Sequence, residues 1–88
     1  MITVHVVKSW PSSFQKVWDG KKRAEFRVND RAYKEADILV MQEWDRDTEQ
    51  YTGRELVAII TCVNKETVFA IPEGWAMLSI EPLKLIEP

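Results

Sequence analysis

The stretch Gly20-Lys21-Lys22-Arg23-Ala24-Glu25-Phe26-Arg27-Val28 decides how this chain is read, because a glycine turn, a run of cations and an acid-base pair share one short segment. If residues 23–28 form a β-strand, its period of two sends Ala24, Phe26 and Val28 to one face and Arg23, Glu25 and Arg27 to the other. The first face reads as core and the second as a charged surface. Along such a strand Glu25 and Arg27 stand about 6.5–7 Å apart, close enough to share an anionic or polar ligand.

On the N-terminal side, Ile2 to Lys8 is rich in β-branched residues and reads as a strand with Val4, Val6 and Lys8 on one face and Thr3, His5 and Val7 on the other. Pro11 suits the first turn of a helix, Phe14, Val17 and Trp18 follow at helical spacing, and Gly20 stops it. That apolar stripe is expected to cover an open end of a sheet. On the C-terminal side, residues 29–36 begin with the turn-favouring Asn29-Asp30 pair and read as a loop. Strands are expected over Asp37 to Trp44, Gly53 to Val63 and Trp75 to Ile80, with an exposed polar hairpin at Asp45 to Gln50 and a Pro72-Glu73-Gly74 turn. Five strands or six and one early helix fit an α+β, mostly β chain: a compact, largely antiparallel barrel whose closure removes exposed edges.

The 88 residues, 45% hydrophobic and 30% charged, lie in the globular range and suffice for one domain, residues 1–88, with a single modest core. The longest apolar runs, such as Leu56 to Ile60, fall far short of the roughly 20 residues of a membrane span. With no basic and apolar leader at the N-terminus, the chain reads as soluble and cytoplasmic. The single cysteine, Cys62, has no partner for an internal disulfide, and beside Ile59, Ile60 and Val63 it reads as a buried small hydrophobe. One histidine and one cysteine are too few for a zinc site, and no calcium-loop spacing occurs, so no metal or other cofactor is expected.

Net charge is −2, yet residues 16–34 hold seven Lys/Arg against three Asp/Glu, whereas residues 35–50 hold one against six. A basic face on a slightly acidic protein steers a phosphate-bearing partner to one side, although the same charges also suit a merely solvated surface. Tyr51-Thr52-Gly53-Arg54-Glu55 reads either as a loop that closes over a ligand through Arg54 or as a register-fixing turn with Arg54 in solvent.

The combination of His5-Val6-Val7-Lys8, Trp10-Pro11, Gly20-Lys21-Lys22, Glu25-Phe26-Arg27-Val28-Asn29-Asp30-Arg31, Glu43-Trp44-Asp45, Tyr51-Thr52-Gly53-Arg54-Glu55 and Glu73-Gly74-Trp75 resembles a family of small phage and bacterial proteins of undefined function. That family resembles a compact branch of the ASCH domains, within the PUA-like barrel superfamily, and the resemblance runs from His5 to about Glu81. It implies a β-barrel with a cleft beside the early helix, lined by a G-x-K-x-x-E-x-R type of motif on Gly20, Lys22, Glu25 and Arg27. It also implies RNA or nucleotide binding there, and some relatives hydrolyse the acetyl amide of 4-acetylcytidine. Those hydrolases carry a threonine where this chain has Glu25, so the nucleophile expected of them is missing at that position.

The residue types themselves suit binding. Lys8, Lys21 and Lys22 offer point charges for phosphate, Arg27 and Arg54 offer planar forks, Glu25 accepts from the exocyclic amine of a base, and Trp44 at a strand end is the preferred stacking surface, with Trp75 as its alternative. Each of the four tryptophans also reads as core filling. His5 is the one group whose ordinary pKa lies near neutrality, which makes it, with Lys22 and Glu25, a candidate for acid-base work if the chain is an enzyme. The leading expectation is therefore an RNA-, nucleotide- or nucleoside-binding module. A small hydrolase of a modified nucleoside or RNA is the alternative, and so is a phage-encoded module that binds a host protein through its acidic Glu43 to Glu49 hairpin.

Overall fold

The computed structural model describes all residues, Met1–Pro88. Five strands form one sheet: β1 (Val4–Ser9), β2 (Ala24–Val28), β3 (Ile38–Asp45), β4 (Gln50–Asn64) and β5 (Trp75–Ile86), with α1 (Pro11–Trp18) between the first two. Their spatial order is β1-β3-β4-β5-β2, parallel between β1 and β3 and antiparallel elsewhere. The result is a sheet curled into a half-barrel. The last two strands run longer than their alternation suggested, β4 beginning at Gln50 and β5 continuing to Ile86.

Local sequence accounts for the helix ends. Pro11 occupies the first turn, where its missing N–H costs nothing. At the other end Gly20 takes φ +77°, its N–H donates to Val17 O at 3.0 Å and Lys21 N–H donates to Lys16 O at 3.0 Å, which satisfies two orphan carbonyls. Phe14 and Val17 point from this helix into the concave side of the sheet, where Leu39, Met41, Leu56, Ala58, Ile60, Ala76, Leu78 and Ile80 meet them. Trp18 is half-buried against the same cluster, and no tryptophan is fully buried. The core-filling reading thus holds in part for Trp18 alone.

The expected closure does not occur. β1 pairs only with β3 and β2 only with β5, so both leave a free edge. Thr3 O accepts from Ile38 N–H, which turns the odd residues of β1 towards β3 and the main-chain groups of Val4, Val6 and Lys8 towards the gap. Two arginines span that gap: Arg27 Nη1 donates to Lys8 O at 3.2 Å and Arg31 Nη1 to Val6 O at 2.8 Å. Side chains therefore do at this seam what a strand pair does elsewhere, and the seam stays open as a cleft.

The alternation of β2 is real but its polarity is the reverse of that expected. Glu25 is buried and Arg27 half-buried, while Phe26 and Val28 are about half exposed. At an open seam the inward face of an edge strand looks into a polar cleft, so the charged residues turn inward. Cys62 is likewise exposed, not buried. The pairing of β4 with β5 slips between Ile60 and Cys62, and the extra residue, Thr61, turns Cys62 outward before Val63 returns to the core.

Candidate functional site

The seam encloses a cleft of about 550 Å³ whose walls come from β1 (Lys8, Ser9), the start of α1 (Trp10, Ser13), β2 (Glu25 to Val28), the following loop (Asp30, Arg31, Tyr33) and Trp75 of β5. Two hydroxyls in these walls stand out. Ser9 Oγ and Tyr33 Oη are both buried, in residues only 4% exposed; neither makes a well-formed hydrogen bond within the protein, although the Arg27 guanidinium stands close enough to the Tyr33 hydroxyl to act on it. A buried polar group without a partner costs on the order of 1–3 kcal/mol. Two such groups on the wall of one cleft are hydrogen-bonding capacity that the protein itself leaves unused.

The charged motif enters this cleft through Glu25 and Arg27, whereas Lys22 stands outside its lining and reaches it through Ser13. Lys22 Nζ donates to Ser13 Oγ at 2.7 Å and stands 3.5 Å from Glu25 Oε1, while Arg27 Nη1 stands 3.5 Å from Glu25 Oε2. Glu25 is thus flanked by two cations at long range and not locked into either, with its side chain 7% exposed. The Lys22 ammonium acts as a donor to Ser13, so this pair supplies charge and a fixed hydroxyl but no general base. Arg31 adds a third cation at the far wall. Burial pushes the Tyr33 phenol up from its ordinary pKa, with Arg27 and Arg31 opposing, so Tyr33 is a neutral donor and acceptor at physiological pH.

His5 lies behind this wall. Its Nε2 is 2.8 Å from Asp37 Oδ2, both residues are buried, and the ring leans on the Tyr33 ring at a centroid distance of 4.7 Å. Asp37 also accepts from Thr3 N–H and Lys34 N–H, each at 3.1 Å. The His5 hydrogen bond, reinforced by these backbone donors, holds the Asp37 carboxyl below the ordinary carboxylate range. His5 is therefore placed as a support for Tyr33 and as a tie between β1 and the loop before β3.

The remaining expected site residues separate. Lys8 contributes to the cleft wall, but its ammonium sits over the Trp44 ring, 4.1 Å from the centroid, and Trp44 meets Tyr51 edge to face at 4.8 Å. Trp44 thus lies on the convex side of the sheet, and the indoles at the cleft are those of Trp10 and Trp75, 54% and 40% exposed. Lys21 is exposed on the turn outside the cleft walls. Arg54 is neither a loop residue nor solvated: it lies within β4, its Nε donates to Glu43 Oε1 at 2.9 Å and its Nη2 to Glu43 Oε2 at 2.7 Å. Its guanidinium also faces the Phe14 and Trp18 rings at 5.1 and 4.8 Å. Arg54, together with Thr52, draws the Glu43 carboxyl below its ordinary pKa against the effect of burial, and Glu43 in turn raises Arg54. Glu43 is consequently a buried structural acid and no part of an exposed acidic hairpin, which leaves Asp45, Asp47 and Glu49 there.

Ser9, Ser13, Arg31 and Tyr33 were not singled out from the sequence. Only Arg31 and Tyr33 had a signal, as charged and aromatic residues in the loop that follows the motif strand.

With this geometry in place, relationships to other proteins are informative. Residues 4–80 match a family described as a domain of unknown function, DUF3850. The chain belongs to this family. It is also 44% identical over 63 residues to an "uncharacterized 12.9 kDa protein in GpA 3′region" of Escherichia phage P2, an alignment that covers 72% of this chain and 56% of that protein. The chain thus spans little more than half the length of that phage relative. The matched segment of the family contains β1, α1, β2, β3 and β4 whole and the start of β5, and so all of the cleft residues named above.

Proposed function

We propose that the seam cleft binds RNA or a nucleotide, and that this DUF3850 chain is a compact ASCH-type member of the PUA-like barrels. The curled five-stranded sheet with one early helix beside a polar cleft supports the second part, and the chemistry of the cleft supports the first. The observation that carries the reading is the pair of buried, unpartnered hydroxyls of Ser9 and Tyr33, set beside the flanked carboxylate of Glu25. Together they present one acceptor and two donor-acceptor groups to a flat polar edge such as that of a nucleobase. Arg27 and Arg31 place positive charge for phosphate around that edge, and Lys22, outside the lining, adds its charge from behind Ser13. Trp75 offers a half-exposed indole for stacking, a contribution of about 1–3 kcal/mol per base.

A hydrolytic reading has one specific point in its favour, the Ser13 hydroxyl fixed by Lys22 at 2.7 Å. The same contact weakens it, since Lys22 donates to the Ser13 hydroxyl and so does not take its proton. Binding therefore takes precedence. The test is a tryptophan-fluorescence titration with single-stranded RNA and a panel of nucleotides and modified nucleosides, with Arg27→Ala and Lys22→Ala variants of unchanged circular dichroism. Saturable binding that weakens on the order of tenfold in each variant, the scale of a lost charged hydrogen bond, is the expected result. Equal binding by all three proteins contradicts the assignment. Turnover of a modified nucleoside that disappears in Ser13→Ala gives the site to the hydrolase.

A further inference from the structure

The convex face of the sheet carries a second pattern, which shares only Lys8 with the cleft wall. On this face lie two successive rows of three β-branched residues, one from each of β1, β3 and β4: Val4, Ile38 and Ile59, then Val6, Val40 and Val57. Val4 and Val6 are 58% and 46% exposed, and the other four are half-buried, with Lys84 and Glu81 of β5 beside Val57 and Ile59 at the edge of the patch. The opposite face of the same strands already fills the core with Leu39, Met41, Leu56, Ala58 and Ile60. A sheet with one wetted side ordinarily alternates apolar with polar residues along its strands. This one is apolar on both sides, as expected where a second layer covers it.

The next row identifies the covering layer. In register with those above, it reads Lys8, Gln42, Glu55: a cation on β1, a neutral amide on β3 and an anion on β4. Gln42 Nε2 already donates to Glu55 Oε2 at 3.3 Å, which holds the carboxylate on this face. The Lys8 ammonium is on it too, over Trp44. A two-fold axis along β3 carries β1 of one chain over β4 of another and β3 over β3. Under that operation each apolar row meets itself reversed, Lys8 of each chain meets Glu55 of its partner, and Gln42 meets Gln42. The row is self-complementary under the symmetry that a closed dimer uses. From this geometry we infer that two copies of the chain associate by stacking the convex β1-β3-β4 faces about a two-fold axis parallel to β3, which leaves both clefts open at the dimer's flanks.

The test is the solution mass of the protein, a single chain being 10.3 kDa, by analytical ultracentrifugation over a concentration series reaching about 100 µM, where a micromolar Kd is saturated. A concentration-dependent shift to twice the chain mass is expected, with loss of the dimer in Val40→Lys. Glu55→Lys sets lysine against lysine at two symmetric contacts, and the double variant Lys8→Glu/Glu55→Lys restores opposite charges. Glu55→Lys is expected to weaken association on the order of tenfold, and the double variant to recover it. A wild-type protein that stays at 10.3 kDa throughout overturns the inference. So does a dimer indifferent to Val40→Lys, or one that the charge exchange fails to restore, since either places the interface elsewhere.

Discussion

At the scale of single residues, the buried polar groups of this chain divide into those partnered within the fold and those without a partner in it. Asp37 and Glu43 belong to the first kind. Each is buried and accepts from several donors, and each titrates below its ordinary value of 3.8 or 4.5. A depressed carboxylate contributes stability that is complete above its unfolded pKa and is lost as pH falls through the folded pKa, because the unfolded chain takes up the proton first. The fold is therefore expected to hold its stability from neutrality down to about pH 5 and to lose it progressively below about pH 4, a profile that urea unfolding at a series of pH values measures. Asp37→Asn is expected to flatten the acid limb while lowering stability at pH 7. Ser9 and Tyr33 belong to the second kind. Since their hydroxyls have no partner, Ser9→Ala and Tyr33→Phe are expected to leave the free protein as stable as before or up to about 1 kcal/mol more stable. Loss of stability in both variants, read by thermal unfolding, contradicts the view that these groups await a ligand.

At the scale of elements, the Arg54–Glu43 pair adds a polar tie between the helix and the sheet to the packing of Phe14 and Val17. Arg54 on β4 forks onto Glu43 of β3, reaches Gln15 of α1 at 2.7 Å and backs the Phe14 and Trp18 rings. Arg54→Ala removes those contacts and strands a buried carboxylate, so a loss of about 2–4 kcal/mol is expected in equilibrium unfolding. Arg54→Ala in a Glu43→Gln background is expected to cost less, since no charge is left unpaired. Elements are also where sequence reasoning succeeded most and failed most plainly. The helix was legible because Pro11 and Gly20 act through local sterics, and the strands because their β-branched runs repeat every two residues. The polarity of Ala24 to Val28 was not, because alternation reports only that two faces differ, while the topology decides which of them faces a dry core and which a wet seam. Arg54 and Glu43 were misjudged for a related reason: eleven positions apart, they become neighbours only through the β3–β4 register. The same holds for Ser9 and Tyr33, ordinary residues until the open seam leaves them without partners.

At the scale of the whole molecule, the open seam is the feature that joins fold to proposed function. A closed barrel of this size has its interior filled by side chains. Here the sheet stops one pairing short, two arginines bridge the gap, and the vacant width becomes a cleft. The chain carries a net charge of −2, yet Arg27 and Arg31 concentrate positive charge at that opening, with Lys22 behind Ser13. Attraction to phosphates at such a patch is released by salt, so nucleic-acid affinity is expected to fall linearly on a log-log plot of affinity against salt, with a slope corresponding to about two or three phosphate contacts. A slope near zero across the range from low to physiological salt, measured by fluorescence titration, argues that phosphate is not recognised.

The most direct test of the central claim joins the seam hydroxyls to ligand recognition in one comparison. Wild-type protein and a Ser9→Ala/Tyr33→Phe double variant are titrated side by side, at low salt, with single-stranded RNA and with mononucleotides, and their thermal unfolding is recorded in the same buffer. The account predicts saturable binding to the wild type, affinity lower by about tenfold or more in the double variant, and thermal stability unchanged or raised by the substitutions. No binding by the wild type at low salt, or equal binding by the two proteins, contradicts it.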